Sequence, residues 1–338
     1  MNNRAAVMNS LGSIDIMERA DPHPGPRDVV IEVMAVGICG SDIAYFRYGA
    51  IGDWVVTGPI VLGHEASGLI IECGSEVKRF VPGDRVAIEP GTPCRLCKQC
   101  RVGAYHLCSD LVFLATPPYD GALVQKLVMN EQCAFPIPAS LSFEDGALAE
   151  PLSVGLWACR RAKMRAGDSV LVTGAGPVGI LAASAALALG ATRATLVDPS
   201  AFRRELADSL GFPTEEPHSP LSSPTEFDVV LECSGADGAL SDAIRRLGPG
   251  GRAAVVGLSK SESVSLPLTK LLSKEISLSL VHRYAHTWPT AIALLADGRV
   301  ATTGLITHRF PLDETEDALT LSSRLESSMK VMVEPQAV

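Results

Sequence analysis

The chain has 338 residues, of which 47% are hydrophobic and 20% charged, enough apolar material to fill two domain cores of ordinary size. Its 38 acidic residues outnumber 29 basic ones, for a net charge of −9 and a pI near 5.3. That balance gives no electrostatic footprint for nucleic acid or an anionic membrane and points to small-molecule partners. The opening MNNRAAVMNS lacks the charged-then-apolar pattern of a secretory signal, so a cytoplasmic, reducing setting is the expectation.

Up to about Pro138 the chain alternates short β-branched runs, Val29 to Val36 and Leu69 to Cys73, with turn residues such as Pro82-Gly83-Asp84 and Pro90-Gly91. A strand-rich, loop-rich domain is predicted there. Within it Cys94, Cys97, Cys100 and Cys108 have the spacing C-x2-C-x2-C-x7-C. Four thiolates so close suit a closed tetrahedral zinc site, which rigidifies a loop and leaves no open position for chemistry. A disulfide knot is the alternative, and a reducing setting disfavours it. The other cysteines, Cys73, Cys133, Cys159 and Cys233, read as buried small hydrophobes, Cys39 excepted.

Ser142 followed by Asp145 is a capping signal ahead of an apolar helical run, and Pro151 predicts a break or kink at Glu150. From Ser169 the pattern becomes strand, turn, helix, strand: SVLVT, GAGPVG, ILAASAALALG and ATLVD, the last ending at Asp198. This is a βαβ unit with a parallel sheet. The apolar run Val170 to Gly190 is long enough to suggest a membrane helix, but Gly174, Gly176, Pro177 and Gly179 break it near its start. Pro213 to Pro224 reads as a Pro/Ser-rich loop. Strands are predicted at Phe227 to Glu232 and Arg252 to Gly257, with a helix from about Gly238 to Leu247 between them. The tail carries a helix at Trp288 to Ala296, a strand at Ile306 to Phe310, a further helix and a last strand near Lys330 to Val333.

Two further constellations carry chemistry. Gly174-Ala175-Gly176-Pro177-Val178-Gly179 lies between a strand and a helix, the context in which such a turn cradles a dinucleotide pyrophosphate on a helix N-terminus. Asp198, at the end of the next strand, suits a ribose 2′-hydroxyl and favours NAD, while nearby Arg203 could tolerate the 2′-phosphate of NADP. Cys39, His64, Glu65 and Glu150 offer the thiolate, imidazole and carboxylate of a catalytic zinc with one position open. Each of these residue types is also common in purely structural roles.

CGSD, LGHEASG, PGDRVAIEPG, the cysteine lobe, ATPPYDG, GALAEPLSVG, GAGPVG, RYAHTWPTAI and THRFPL occur in an order that resembles the zinc-containing medium-chain dehydrogenases, the sorbitol/xylitol (polyol) dehydrogenases above all. The resemblance covers nearly the whole chain. It implies an α/β protein in two parts, with the active site in the cleft between them. A discontinuous GroES-like catalytic domain is expected at residues 1–151 and 285–338, with a zinc lobe at about 90–110, around a Rossmann doubly wound parallel sheet at residues 152–284. It maps the catalytic zinc ligands to Cys39, His64 and Glu65, with Glu150 acting directly or through water. It also puts Ser41 and Glu150 in proton transfer and sets Tyr45, Phe113, Glu150, Arg283 and Tyr284 around the substrate. Val178, Arg203, Val256, Leu258 and Arg283 fall near the cofactor.

The implied activity is reversible oxidation of a polyol with NAD and two zinc ions per chain, in a cytoplasmic homo-oligomer, a tetramer by family habit. A threonine-like amino alcohol or a cyclitol is the alternative substrate, and a catalytically silent relative the remote alternative. Two departures stand out. The stretch between Leu210 and Phe227 is shorter than the family's third strand and following helix, and Ala44 replaces a histidine often found there, leaving Tyr45 as candidate for its role.

Overall fold

A computed structural model describes residues 3–217, 226–259, 261 and 263–337. The chain divides into two compact units, Met1–Glu150 with Ile306–Val338, and Pro151–Leu305.

The first unit is built on a seven-stranded sheet in the order Ala134–Pro136, Arg85–Ile88, Glu65–Cys73, Asp28–Gly37, Lys330–Glu334, Ile306–Pro311, with Lys126–Asn130 also pairing Asp28–Gly37. Only Ile306–Pro311 and Lys330–Glu334 run parallel to each other. The central strand Asp28–Gly37 is rich in valine and buries Val29, Val30, Ile31, Val33, Ala35 and Val36, as expected of a β-branched run covered on both faces. Leu312, Ala318, Leu319, Val331 and Val333 lie in the same core cluster as Val29, Ile31 and Ile70, so the C-terminal segment completes this core rather than decorating it. A smaller sheet, Ser13–Arg19, Asn3–Ser10 and Ile60–Val61, packs its inner face on the same cluster.

The second unit is a six-stranded parallel sheet in the order Thr214–Glu215, Arg193–Val197, Ser169–Thr173, Phe227–Glu232, Leu247–Val255, Ser277–Leu280. The apolar run from Val170 resolves into the strand, a turn and the helix Pro177–Ala188, whose residues Gly179 to Ala186 are all buried. No described helix is long and apolar enough to cross a membrane. Gly155 makes a close helix crossing: a Cβ there would lie 2.7 Å from the Ala182 backbone.

Several expectations need correction. The return to the first unit comes at Ile306, not at residue 285. Residues 285 to 305 are tied to the second unit. Trp288 packs edge-on to Tyr284 at 6.1 Å, Arg160 donates to the His286 carbonyl at 2.7 Å, and Arg299 donates to the Ala188 carbonyl. The helix Phe143–Ala147 starts as predicted, its Ser142 hydroxyl accepting from the Asp145 amide at 2.9 Å. It ends at Leu148 instead of Glu150, and a second helix, Ala149–Arg161, carries Glu150 and Pro151 in its first turn, where the missing N–H of proline costs nothing. The strand expected at Arg252 begins at Leu247, because a register shift lets Phe227 pair Leu247 before Val229 pairs Arg252. Cys133 and Cys159 are buried, whereas Cys73 and Cys233 are only half-buried. Of the Pro213 to Pro224 loop, residues 218–224 lie outside the described residues. The shortened third strand is the two-residue Thr214–Glu215.

Candidate functional site

Two segments of the first unit converge to bring together Cys39, His64 and Glu65, whose ligand atoms all lie within 4.8 Å of one another. Cys39 caps the helix Gly40–Tyr48 with extended backbone angles. Asp42, fully buried in that helix, organises the group: Oδ2 accepts from the Cys39 amide and Oδ1 from the Gly63 amide, each at 2.9 Å, and Oδ1 lies 3.4 Å from His64 Nδ1. Gly63 turns the chain at φ +88°, a left-handed conformation suited to glycine, just before His64. Glu65 opens its strand opposite Gly37, and a Cβ on Gly37 would come within 2.2 Å of Glu65 Oε2, so glycine makes the room for the carboxylate.

The electrostatics of this group are strongly coupled. Burial opposes charge on His64, but the Asp42 carboxylate outweighs it and holds the imidazole well above its ordinary pKa. Burial likewise opposes ionisation of Asp42, and His64 with the two amides keeps its pKa low. Lys330, at the start of Lys330–Glu334, is buried yet charged: its Nζ donates to Glu65 Oε1 at 2.8 Å, Glu65 Oε2 at 2.6 Å and the Ile38 carbonyl at 3.1 Å. Burial works against that charge, and the acidic groups of Glu65, Cys39 and Glu150 raise the lysine pKa in spite of it. Glu150 is buried in its helix but is not part of the 4.8 Å trio.

Phe113 is brought beside the trio, its ring centroid 5.9 Å from that of His64. Tyr45 is buried and Ser41 half-buried on the helix that Cys39 caps, one turn apart and on one face. Asp42 and Lys330 were not among the residues expected from sequence. Asp42 carried a local signal, lying three residues after Cys39 within CGSD, whereas Lys330 had only its odd charge in an apolar strand.

The four lobe cysteines also bring their sulfurs within 4.8 Å of one another. Sulfurs at ~2.3 Å from one zinc would be about 3.8 Å apart, so the set fits a four-thiolate site. The amides of Leu96 and Cys97 point at Cys94 Sγ, at 3.5 and 3.4 Å, and the Cys94 amide at Cys108 Sγ, at 3.3 Å, a polarity that suits thiolates. The Cys100 amide and its thiol hold Cys97 down to about 6, while burial and the neighbouring thiols push Cys100 up to about 12. Tyr105 donates to the buried Glu89 at 2.9 Å and anchors the lobe.

In the second unit Gly174 (φ +88°) turns the chain out of the strand, and Gly176 and Pro177 open the helix. A Cβ on Gly179 would lie 1.8 Å from the Gly174 carbonyl oxygen, so the helix can start this close to the strand only with glycine. Asp198 is buried against this turn: Oδ2 accepts from the Ala175 amide at 2.8 Å and Oδ1 from Ser200 at 2.9 Å, with Arg203 Nη1 3.7 Å from Oδ2. Val178 and Val256 are half-buried and Leu258 exposed. Arg283 and Tyr284 also belong to this unit. Arg283 has a left-handed backbone, φ 57°, uncommon without glycine, and Tyr284 is buried against Trp288.

Residues 25–139 match the alcohol dehydrogenase GroES-like domain, and residues 177–297 match the zinc-binding dehydrogenase family. The chain is 40% identical over 342 residues to a sorbitol dehydrogenase of Bos taurus, covering 98% of this chain and 96% of the relative. Among solved structures, 2R,3R-butanediol dehydrogenase from Bacillus subtilis matches with a TM-score of 0.90 at 29% identity, covering 99% of this chain and 100% of that one. A protein of Sinorhizobium meliloti 1021, described as a zinc-binding dehydrogenase and bound to NADP, matches with the same TM-score, identity and coverage.

Proposed function

The chain belongs to the zinc-dependent medium-chain dehydrogenase/reductase family, and from that premise we propose that it oxidises a secondary hydroxyl of a sorbitol- or xylitol-like polyol to a ketose, reversibly and with NAD. The observation that carries this reading is the convergence of one thiol, one imidazole and one carboxylate, Cys39, His64 and Glu65, in a chain 40% identical to a sorbitol dehydrogenase. That donor set fits a catalytic zinc with room for a further ligand, whereas the four lobe cysteines fit a structural one.

Cys39, His64 and Glu65 would hold the first ion, with Glu150 supporting it directly or through water, and Cys94, Cys97, Cys100 and Cys108 the second. When bound, zinc supplies a Lewis acid that lowers the pKa of a hydroxyl, and NAD supplies the hydride acceptor. The chain's residues prepare the rest. Asp42 occupies His64 Nδ1 and leaves Nε2 as the ligand atom. Ser41 takes the hydroxyl proton by hydrogen bond and passes it outward, with Glu150 orienting the water in that path. On the family resemblance, Tyr45, Phe113 and Tyr284 would contact the substrate, and Arg283, with five donors, would suit the vicinal hydroxyls of a sugar alcohol.

Gly174, Gly176, Pro177, Val178 and Gly179 would cradle the pyrophosphate, and Val256 and Leu258 would flank the cofactor. The buried charge of Asp198 disfavours a 2′-phosphate, hence NAD. Arg203, half-exposed beside it, is the group through which NADP would gain, as bound in the Sinorhizobium meliloti relative. We take the assembly to be a homotetramer in the cytoplasm.

The test is formation of reduced nicotinamide by the zinc-loaded protein from sorbitol, xylitol and 2R,3R-butanediol with NAD or NADP. Faster turnover of the polyols with NAD is expected. Turnover of butanediol alone would overturn the polyol reading, and preference for NADP would overturn the role given to Asp198.

A further inference from the structure

The parallel sheet of the second unit reverses its strand order between Ser169–Thr173 and Phe227–Glu232. In open α/β sheets a ligand binds in the crevice outside the carboxyl ends of the strands at such a reversal. Thr173 and Glu232 are the last residues of these two strands and lie opposite each other in register. Glu232 is a carboxylate only 2% exposed, with no role in the chemistry derived above. A buried charge persists only where donors compensate it.

Here the donors converge on one oxygen. Glu232 Oε1 accepts from the Ser234 amide at 2.8 Å, the Ser234 hydroxyl at 2.5 Å, the Gly235 amide at 2.9 Å and the Thr173 hydroxyl at 3.2 Å. Its backbone carbonyl accepts from the amides of Val256 and Gly257, at 2.7 and 3.0 Å, just beyond the next strand. One residue therefore ties together the ends of three adjacent strands.

The loops that leave those ends touch backbone to backbone. A Cβ on Gly174, the first glycine of the phosphate turn, would lie 3.1 Å from Ser234; one on Gly235 would lie 2.3 Å from the Leu258 carbonyl; one on Gly257 would lie 2.1 Å from the Gly235 amide. Ser234 thus packs beside Gly174, and Gly235 beside Leu258, with no room for a side chain between them.

We propose that Glu232 is a positioning residue for dinucleotide binding: its carboxylate fixes the loop after its own strand, and through that loop both the Gly174 turn and the Val256–Leu258 segment. The inference rests on the dinucleotide reading of Gly174 to Gly179. Glu232→Ala removes the acceptor, Glu232→Gln restores a neutral one of the same shape, and Thr173→Val removes only the tie to the neighbouring strand.

The experiment is fluorescence titration of NADH into the zinc-loaded full chain and these three variants, with KM for NAD, kcat, far-UV circular dichroism and melting curves recorded on each. Hydrogen bonds to a charged group are strong enough that Glu232→Ala should raise the NADH Kd about tenfold or more. Glu232→Gln should recover most of that loss and Thr173→Val should show a smaller one. KM for NAD should rise with kcat at saturating NAD retained, a split that loss of stability alone does not produce. If Glu232→Ala does not fold, Thr173→Val carries the test. Wild-type NADH affinity in the folded variants, with only the melting temperature lowered, would overturn the proposal. Failure of the wild type itself to bind NADH would instead overturn the dinucleotide reading.

Discussion

His64 stands between burial, which opposes its charge, and Asp42, which favours it, and the carboxylate prevails. Zinc binds the neutral imidazole, so uptake must expel a proton wherever the pH lies below the raised His64 pKa. Zinc affinity should therefore fall about tenfold per pH unit on acidification through that value, starting above the ordinary histidine range. In the metal-free chain the sign is opposite: the His64 contribution to stability is full below the ordinary histidine pKa and lost as pH rises through the raised one. The Asp42 contribution is present above the ordinary aspartate value and lost as pH falls through its lowered pKa. Chelator competition at pH 6, 7 and 8 checks the first statement, and a pH-independent affinity would remove His64 from the ligand set.

Lys330 calls for a second prediction: replacing it by methionine leaves the Glu65 carboxylate buried without its cation, a loss of about 3–5 kcal/mol in metal-free denaturation. Adding Glu65→Gln should recover most of that. The grouping of Cys39, His64 and Glu65 was legible in the sequence because each sits in a compact motif. Lys330 was not, since it meets Glu65 across 265 positions and no local pattern records such a pair.

At the scale of elements, the signals that came through were those with a local mechanism. The Ser142 cap, the glycine turn and the helix Trp288–Ala296 all form where the sequence put them. Pro151 misled because its effect depends on position: inside a helix it breaks the ladder, but in the first turn of Ala149–Arg161 it is harmless. The edge strand Ser277–Leu280 was not anticipated, since four residues of Ser-Leu alternation are too short for periodicity to register and its pairing with Leu247–Val255 is tertiary. The cysteine lobe has little regular structure of its own, the two-residue strand Gly91–Thr92, four residues of helix and a single 3-10 turn, so an ion shared by the four sulfurs would be its main cross-link. Cys100→Ser should remove about one zinc per chain and lower Tm by about 5 °C or more, read by elemental analysis and melting. A zinc content unchanged from wild type would dismiss the four-thiolate site.

For the whole molecule, the order of motifs made the discontinuous first unit legible, and the shared core of Val29 and Ile31 with Leu319 and Val333 gives its physical basis. Where the chain returns was not legible, because Arg160 and Arg299 commit residues before Ile306 to the second unit through contacts distant in sequence. Among the described residues, that unit's sheet ends on Ser277–Leu280, which pairs on one side only. Leu280 on the edge strand is 68% exposed, and Leu268 and Leu272 on the neighbouring helix Leu268–Ser273 are 65% and 72% exposed. Natural edge strands are usually protected by charge, proline or a bulge, and Ser277–Leu280 carries no charged residue or proline. A strand of this kind can pair antiparallel with its own copy about a two-fold axis, burying the same leucines from both chains. Light scattering should then give a mass that is a multiple of the 35.6 kDa chain, and Leu280→Glu, which sets like charges against each other across the axis, should lower it. A wild-type mass of one chain at micromolar concentration would exclude the pairing, and an unchanged mass for Leu280→Glu would move the interface to another face.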